Sequence, residues 1–349
     1  MTEIYDLLGP EGFGTYAVDW DEGPSKAVRV SRPPSGLLVP GFVDGHIHGA
    51  FGIDFMTASD EEIALLCEKL AEVGYEAFLP TTVTAPLDAV RSSLDHLIDH
   101  PMIVGFHLEG PFISPEFPGA QPPSEIRNPP VEASEWDFIL NDSRLKVITL
   151  APELPFALEL TTRLMRQGVR VSMGHTNATF EEARRGSEFG AVQTTHTFNA
   201  MRGFHHREAG IAGFALASPS LDCELIYDRH HVCRDSAGLL LKNKPADRIL
   251  AVSDSTQATG LPAGTKLTMW GLDCVVEKGQ IRLASNGALA GSAITLMDAF
   301  RNLSQDFGPE VAIRACCLNP RRALGIRQIR RYLLFDQDLR LKRTFEAEW

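Results

Sequence analysis

The stretch Val39 to Ala50, VPGFVDGHIHGA, closes a short apolar run with His46 and His48 two residues apart. In an extended chain residues i and i+2 face the same side, so both imidazoles can turn toward one divalent ion. Polar residues recur at the ends of other apolar runs. Glu109 ends MIVGFHLEG, His175 ends VRVSMGHT, His196 lies in AVQTTHTFN, His231 follows DCELIYDRH and Asp254 lies in RILAVSDS. A single histidine at such a place is most simply a hydrogen-bonded core residue. Five of the eleven histidines at strand ends, beside two carboxylates, make a donor set suited to zinc, iron or another divalent ion. Ligands carried on separate rigid strands leave the ion open to water on one side, which is the arrangement of a catalytic site rather than a structural one. Asp254 is the candidate general base for a water activated there, the alternative being a cap on a following helix. His107 precedes Glu109 by two and faces the same way, as an orienting partner would.

Eight apolar runs position these residues: GLLVPGFVDG, YEAFLPTT, MIVGFHLEG, LKVITLAPE, VRVSMGHT, AVQTTHTFN, DCELIYDRH and RILAVSDS. Each is short, rich in Val, Ile, Leu, Phe or Ala, and ends in polar residues, as parallel strands covered on both faces do. SDEEIALLCEKLAEVG lies between the first two. Ser59 and Glu62 occupy capping-box positions there, Ile63, Leu66, Cys67 and Leu70 follow at helical spacing, and Gly74 closes the segment. ALELTTRLMRQG and TFEEARRGSEFG have the same form. Alternating strand and helix over eight units predicts an α/β fold, a (β/α)8 TIM-type barrel, with a doubly wound open sheet as the alternative. In the barrel the polar strand ends meet at one mouth.

Residues 1–38 and 326–349 carry short strand-like pieces, among them TYAVDW, KAVRV and YLLFDQDLRLKRTF, which predict a small β-layer beside a catalytic barrel over 39–325. SPEFPGAQPPSEIRNPP is Pro-rich enough to be a long loop over one face of that barrel. The chain has 349 residues, 45 acidic against 33 basic, and a formal charge of −12, which disfavours nucleic acid and anionic membranes as partners. An anionic substrate would need a local basic patch, and MRGFHHR is one. The six cysteines form no C-x-x-C pair, and no run reaches the roughly 18 apolar residues of a membrane span. A cytoplasmic location is expected.

The stretches PGFVDGHIHG, HLEGPFISPEFPGA, MGHTNATFEEA, THTFNAMRGF, VSDSTQATG and GALAGSAITLMDAF, taken together, resemble the N-acetylglucosamine-6-phosphate deacetylases, a branch of the amidohydrolase superfamily. The resemblance implies hydrolysis of the acetamide of N-acetylglucosamine 6-phosphate to glucosamine 6-phosphate and acetate, by a homodimer holding one or two divalent ions, zinc or iron. It implies Glu109, His175 and His196 as main metal ligands, with His46 and His48 as a pair that helps hold a second ion in members possessing it. Asp254 falls at the catalytic aspartate, and His231 at the histidine that contacts the sugar and polarises the acetamide carbonyl. Ala120, Gln121 and Leu289 fall at substrate contacts, and Asn199 and Ala200 at positions that hold the phosphate. Arg207 would reach the phosphate from the neighbouring subunit, a geometry guanidinium suits.

Two residues depart from the family pattern. Gln121 stands where His is usual after Gly-Ala, and Arg229 where Gly is usual in Asp-Gly-x-His; both are expected to touch substrate rather than metal. The C-terminus lacks the usual Gly-rich hairpin, so a reduced β-layer is expected. Cyclic-amide hydrolases and deaminases are rival readings. Many cyclic-amide hydrolases bridge two ions with a carboxylated lysine on the fourth strand, where VITLAPELP has no lysine. A different N-acylated sugar or amino acid stays open, as does a barrel that binds sugar phosphate without turning it over, against which the full ligand set and Asp254 weigh.

Overall fold

The structure, a computed structural model, describes residues 2–21 and 23–347. Positions 1, 22, 348 and 349 of the expected β-layer lie outside the described residues.

Six short strands form one parallel sheet with neighbours in chain order: Phe106–Glu109, Leu145–Leu150, Arg170–Met173, Ala191–Thr194, Asp222–Leu225 and Ile249–Ala251. Phe42–Ile47 and Tyr75–Pro80 form a separate parallel pair. Backbone hydrogen bonds join this pair to both edges of the sheet. Thr82 N–H donates to His107 O at 3.0 Å on one side; Asp254 N–H donates to His46 O at 2.9 Å and His48 N–H to Ser255 O at 2.8 Å on the other. The strands are almost wholly buried because helices follow them on the outside.

The helix Asp60–Glu72 shows why these segments fold locally. Glu62 N–H donates to Ser59 Oγ at 3.3 Å while Ser59 N–H donates to Glu62 Oε2 at 2.9 Å, the reciprocal box expected from the sequence. Ile63, Leu66, Cys67 and Leu70 are buried on its inner face. A buried Leu or Ile contributes about 1.5–3 kcal/mol against about 1 kcal/mol for a cap. The apolar face therefore sets which side docks, and the cap sets where the helix begins. Thr179 and Glu182 repeat the device at Phe180–Glu188.

The run expected as a single first strand divides at Gly41. Leu37–Pro40 joins the small sheet and Phe42–Ile47 the parallel pair. A Cβ at Gly41 would lie 2.7 Å from Glu76 Cβ, so the two strands meet only through a residue without a side chain. The small layer is a six-stranded sheet ordered Leu341–Glu346, Arg331–Phe335, Leu37–Pro40, Thr2–Gly9, Gly12–Asp19, Val28–Arg29. The boundary expected at residue 38 thus falls inside a strand. Buried Glu76 pins the C-terminal segment to the parallel strands. It accepts two hydrogen bonds from Arg321, at 2.7 and 2.9 Å, and one each from Arg330 N–H and Arg331 N–H.

The span 39–325 also carries a four-stranded antiparallel sheet that was not among the expectations. Its strands, Lys266–Met269, Leu272–Glu277, Gln280–Leu283 and Leu289–Ser292, lie between the eighth parallel strand and the helix Leu296–Phe307. Among the described residues no helix is long and apolar enough to cross a membrane.

Candidate metal and substrate site

The polar strand ends converge at one mouth of the parallel strands. Three of them stand in left-handed backbone, His175 at φ 45°, His196 at φ 28° and Asp254 at φ 49°. Such conformations cost about 1–3 kcal/mol each in a residue with a Cβ. The surrounding bonds hold them: His175 O accepts from Ser114 N–H, and Asp254 O from Ser292 N–H, both at 2.8 Å.

Glu109 lies at the centre. Its Oε1 is 3.3 Å from His175 Nε2, 3.2 Å from His196 Nε2 and 3.4 Å from His46 Nε2. Its Oε2 is 3.2 Å from His48 Nε2. Asp254 Oδ1 stands 3.3 Å from His48 Nε2 and 3.6 Å from His46 Nε2, and the two Nε2 atoms are 3.3 Å apart. Two ligand groups face this mouth, Glu109 with His175 and His196, and His46 and His48 with Asp254; both could hold a metal ion, a third buried set, His46 with His107 and Glu224, shares His46 with the second, and every member is buried.

The far nitrogens settle which way the rings present their lone pairs. His175 Nδ1–H donates to Phe117 O at 3.0 Å, His196 Nδ1–H to Asn199 O at 3.2 Å and His48 Nδ1–H to Thr81 O at 3.1 Å. A carbonyl can only accept, so each Nδ1 carries a proton, and with an ion bound each ring would turn a neutral Nε2 lone pair inward. His175 Nε2 and His196 Nε2 are only 3.1 Å apart. Tetrahedral zinc with ligand bonds of about 2.0–2.1 Å separates its ligands by about 3.3 Å. Converging lone pairs at that spacing need a cation between them, so the donor set fits a divalent ion.

Further polar residues hold the ligands. His46 Nδ1–H donates to Glu224 Oε2 at 3.1 Å, and the same oxygen accepts from His196 N–H at 3.0 Å, so one carboxylate orients a residue of each group. His107, expected to be such a partner, packs its ring 4.7 Å from that of His46 and bonds Thr149 Oγ1 at 2.7 Å. Burial and the charge of His46 push it well below the usual imidazole value. Burial alone would raise both central carboxyls. Without an ion, the charge of His46 and hydrogen bonds from His175 and His196 instead hold Glu109 well below the carboxylate range, and the charge of His46 with a hydrogen bond from His48 holds Asp254 below it; a bound cation would take over that part.

A cavity of about 260 Å³ opens above the ligands, and His48, Glu109, His175, His196, Asp254 and His231 reach it. Ala120, Gln121, Asn199, Ala200 and Leu289, the other substrate positions expected in this chain, line it too. His231 is set by Asp228, whose Oδ2 accepts from Nδ1–H at 2.6 Å and whose Oδ1 accepts from the His231 backbone N–H at 2.7 Å. Arg207 is not in the cavity; it is exposed, with Nη1 3.0 Å from His206 Nε2.

The two departures from the family pattern part ways: Gln121 lines the cavity as expected but also touches a ligand, and Arg229 does not reach it. Gln121 belongs to the ligand surroundings, since its Nε2–H donates to Glu109 Oε2 at 2.7 Å. Arg229 turns away from the cavity, donating to Asp306 Oδ2 at 2.7 Å and Gln305 Oε1 at 3.1 Å. Glu224 and Trp270 were not singled out from sequence. A glutamate inside the apolar strand DCELIY was a readable sign of a buried partner. Trp270, at a turn of the antiparallel sheet, places its ring 5.2 Å from that of His48, and nothing local announced it.

The amidohydrolase family model matches residues 37–329. The chain is 36% identical over 310 residues to an N-acetylgalactosamine-6-phosphate deacetylase of Escherichia coli O157:H7, covering 86% of this chain and 81% of that one. It is 38% identical over 276 residues to an N-acetylglucosamine-6-phosphate deacetylase of Lysinibacillus sphaericus, covering 77% and 71%. A mutant N-acetyl-D-glucosamine-6-phosphate deacetylase of Mycobacterium smegmatis, solved in complex with N-acetyl-D-glucosamine-6-phosphate, superposes with a TM-score of 0.87 at 27% identity, over 99% of this chain and 98% of that one.

Proposed function

The chain belongs to the amidohydrolase family, and from that premise we propose that it hydrolyses the acetamide of N-acetylglucosamine 6-phosphate to glucosamine 6-phosphate and acetate. The observation that carries the reading is the meeting of Glu109, His175, His196 and Asp254 in one cavity with the residues that the sequence resemblance places at substrate contacts, in a chain similar to named deacetylases. Glu109, His175 and His196 would hold the main divalent ion, with zinc or iron suited to the donor set, and His46, His48 and Asp254 a second. When bound, the ion polarises the carbonyl and makes a water nucleophilic at neutral pH.

This chain's residues supply the rest. Asp254, kept ionised, accepts the proton of the attacking water and returns it to the departing amine. His231, steadied by the Asp228 carboxylate at Nδ1, turns its Nε2 side to the cavity to stabilise the developing oxyanion. Ala120, Gln121 and Leu289 shape the substrate cavity, and Asn199 and Ala200 would meet the phosphate. Arg207 binds the 6-phosphate of a neighbouring copy in a homodimer. Its exposure outside its own cavity supports that role, as does neighbouring Phe204, 66% exposed.

The eight parallel strands, hydrogen-bonded at both seams, support a closed (β/α)8 barrel over 39–325, with residues 1–38 and 326–349 contributing the small β-layer. A cytoplasmic enzyme of amino-sugar metabolism is the setting that the relatives' names support.

The galactosamine relative favours a second reading in which the 4-epimer is also accepted. Acetate release from N-acetylated glucosamine, galactosamine and mannosamine, each with and without a 6-phosphate, tests both after loading with zinc or with iron. The expected result is fastest release from the phosphorylated glucosamine or galactosamine derivative. Equal rates without phosphate would remove Arg207 from its role, and no release from any sugar would overturn the function.

A further inference from the structure

We infer that Gln121 is a positioning residue for Glu109, fixing which of its oxygens faces His48 and which faces His175 and His196; the inference rests on the metal-site reading above. Gln121 is 4% exposed and hydrogen-bonded at both ends of its amide. Its Oε1 accepts from Thr84 N–H at 2.7 Å, and its Nε2–H donates to Glu109 Oε2 at 2.7 Å. A backbone N–H can only donate, so the amide has one possible orientation, and the donor must face Glu109. The oxygen it binds is the one nearer His48; the other, Oε1, faces His175 and His196, with His46 Nε2 a little farther off at 3.4 Å. Without that anchor the Glu109 carboxylate could rotate and present either oxygen to either group.

The anchor also ties the ligand to the loop above it. Gln121 N–H donates to Pro118 O at 2.9 Å, and Phe117 O, one residue earlier, accepts from His175 Nδ1–H. Residues 117–121 therefore orient two of the three members of the Glu109 group. Gln121 thus marks how this chain holds its central ligand.

The test is zinc affinity of the full chain, measured by competition with a chromophoric chelator, together with the rise in Tm on adding zinc. Gln121→Leu removes the donor and is expected to weaken zinc about 10–100-fold, the usual effect of losing a ligand's hydrogen-bond partner. Gln121→Glu keeps an acceptor for Thr84 but sets two carboxylates in contact, which a cation relieves. Its zinc-free form should melt lower than wild type, and zinc should raise its Tm by more. If Gln121→Leu does not fold, this larger rise alone decides. A role in packing only would lower Tm equally with and without zinc. Affinity of Gln121→Leu within twofold of wild type, or an unchanged zinc-induced rise in Gln121→Glu, overturns the inference. His175→Ala separates the two levels. If it loses zinc while Gln121→Leu does not, only the positioning role fails; if it binds zinc as wild type does, the site reading falls and the inference with it.

Discussion

Replacing Glu224 by glutamine should damage stability and metal binding together, although the change is isosteric and lies beneath the cavity. Three N–H groups converge on this carboxylate: Gln193 Nε2 at 2.6 Å on Oε1, and His46 Nδ1 at 3.1 Å with His196 N at 3.0 Å on Oε2. Glutamine offers one acceptor oxygen where the carboxylate offers two. With that oxygen in the Oε2 position, its NH2 faces the NH2 of Gln193, which cannot turn over without losing Arg170 Nε and Nη2, at 3.3 and 3.2 Å from its own oxygen. With the amide reversed, the NH2 faces His196 N–H, which cannot change role at all. His46 could adapt only by moving its proton to Nε2, and that would close the lone pair it aims at the ligand group. One buried donor left opposite a donor costs about 1–3 kcal/mol, and each of the two remaining bonds loses about 1 kcal/mol of charge assistance. Burying a neutral amide rather than a carboxylate offsets part of this, leaving about 2–4 kcal/mol. Urea denaturation of chelator-treated Glu224→Gln should show that loss, and zinc competition should show affinity about 10–100-fold weaker. A shift below about 0.5 kcal/mol, within the scatter of ordinary surface changes, together with wild-type zinc affinity, would refute the assignment of Glu224 as the clamp of His46 and His196.

Asp254→Asn should fold, keep at least the ion at Glu109, His175 and His196, and lose about 10²–10⁴ in turnover, the range for a general acid–base group; acetate release within tenfold of wild type would remove Asp254 from proton transfer. The double change His46→Ala, His48→Ala should reduce bound metal from two ions to one by elemental analysis, and an unchanged stoichiometry would return the pair to ordinary hydrogen-bonded histidines. Hydrogen exchange should slow at Ser114, Phe117 and Gln121 when metal is added, because Ser114 N–H donates to His175 O and Phe117 O accepts from His175 Nδ1. Identical exchange with and without metal would separate that loop from the ligands.

What could be read in the chain beforehand follows the range of the forces concerned. The pair His46 and His48 was legible because a period of two is local, and the helix Asp60–Glu72 because its cap and apolar face lie within sixteen residues. The gathering of Glu109, His175, His196 and Asp254 was legible one level up, since alternating strand and helix sends every strand's end to the same mouth. Gln121 shows where that reasoning stops. Its place in the chain suggested a sugar contact, but its partners, Thr84 and Glu109, lie 37 and 12 residues away, and only the folded loop selects them. The division at Gly41 was hidden for the same reason, because the apolar run is continuous and what parts it is the approach of Glu76. The antiparallel sheet is a different case. Gly271 and Gly279, with φ of 80° and 71°, turn its first two hairpins, and its middle strands alternate buried and less buried positions, so its signals were local and readable. The ligands of such a site are therefore fixed by topology, which a sequence pattern carries. Their orienting partners come from whichever loop, strand or turn folds against them, which is why the contacts of Gln121 and Trp270 emerge only from the assembled structure, and why the glutamate in DCELIY signals a buried partner without saying whose.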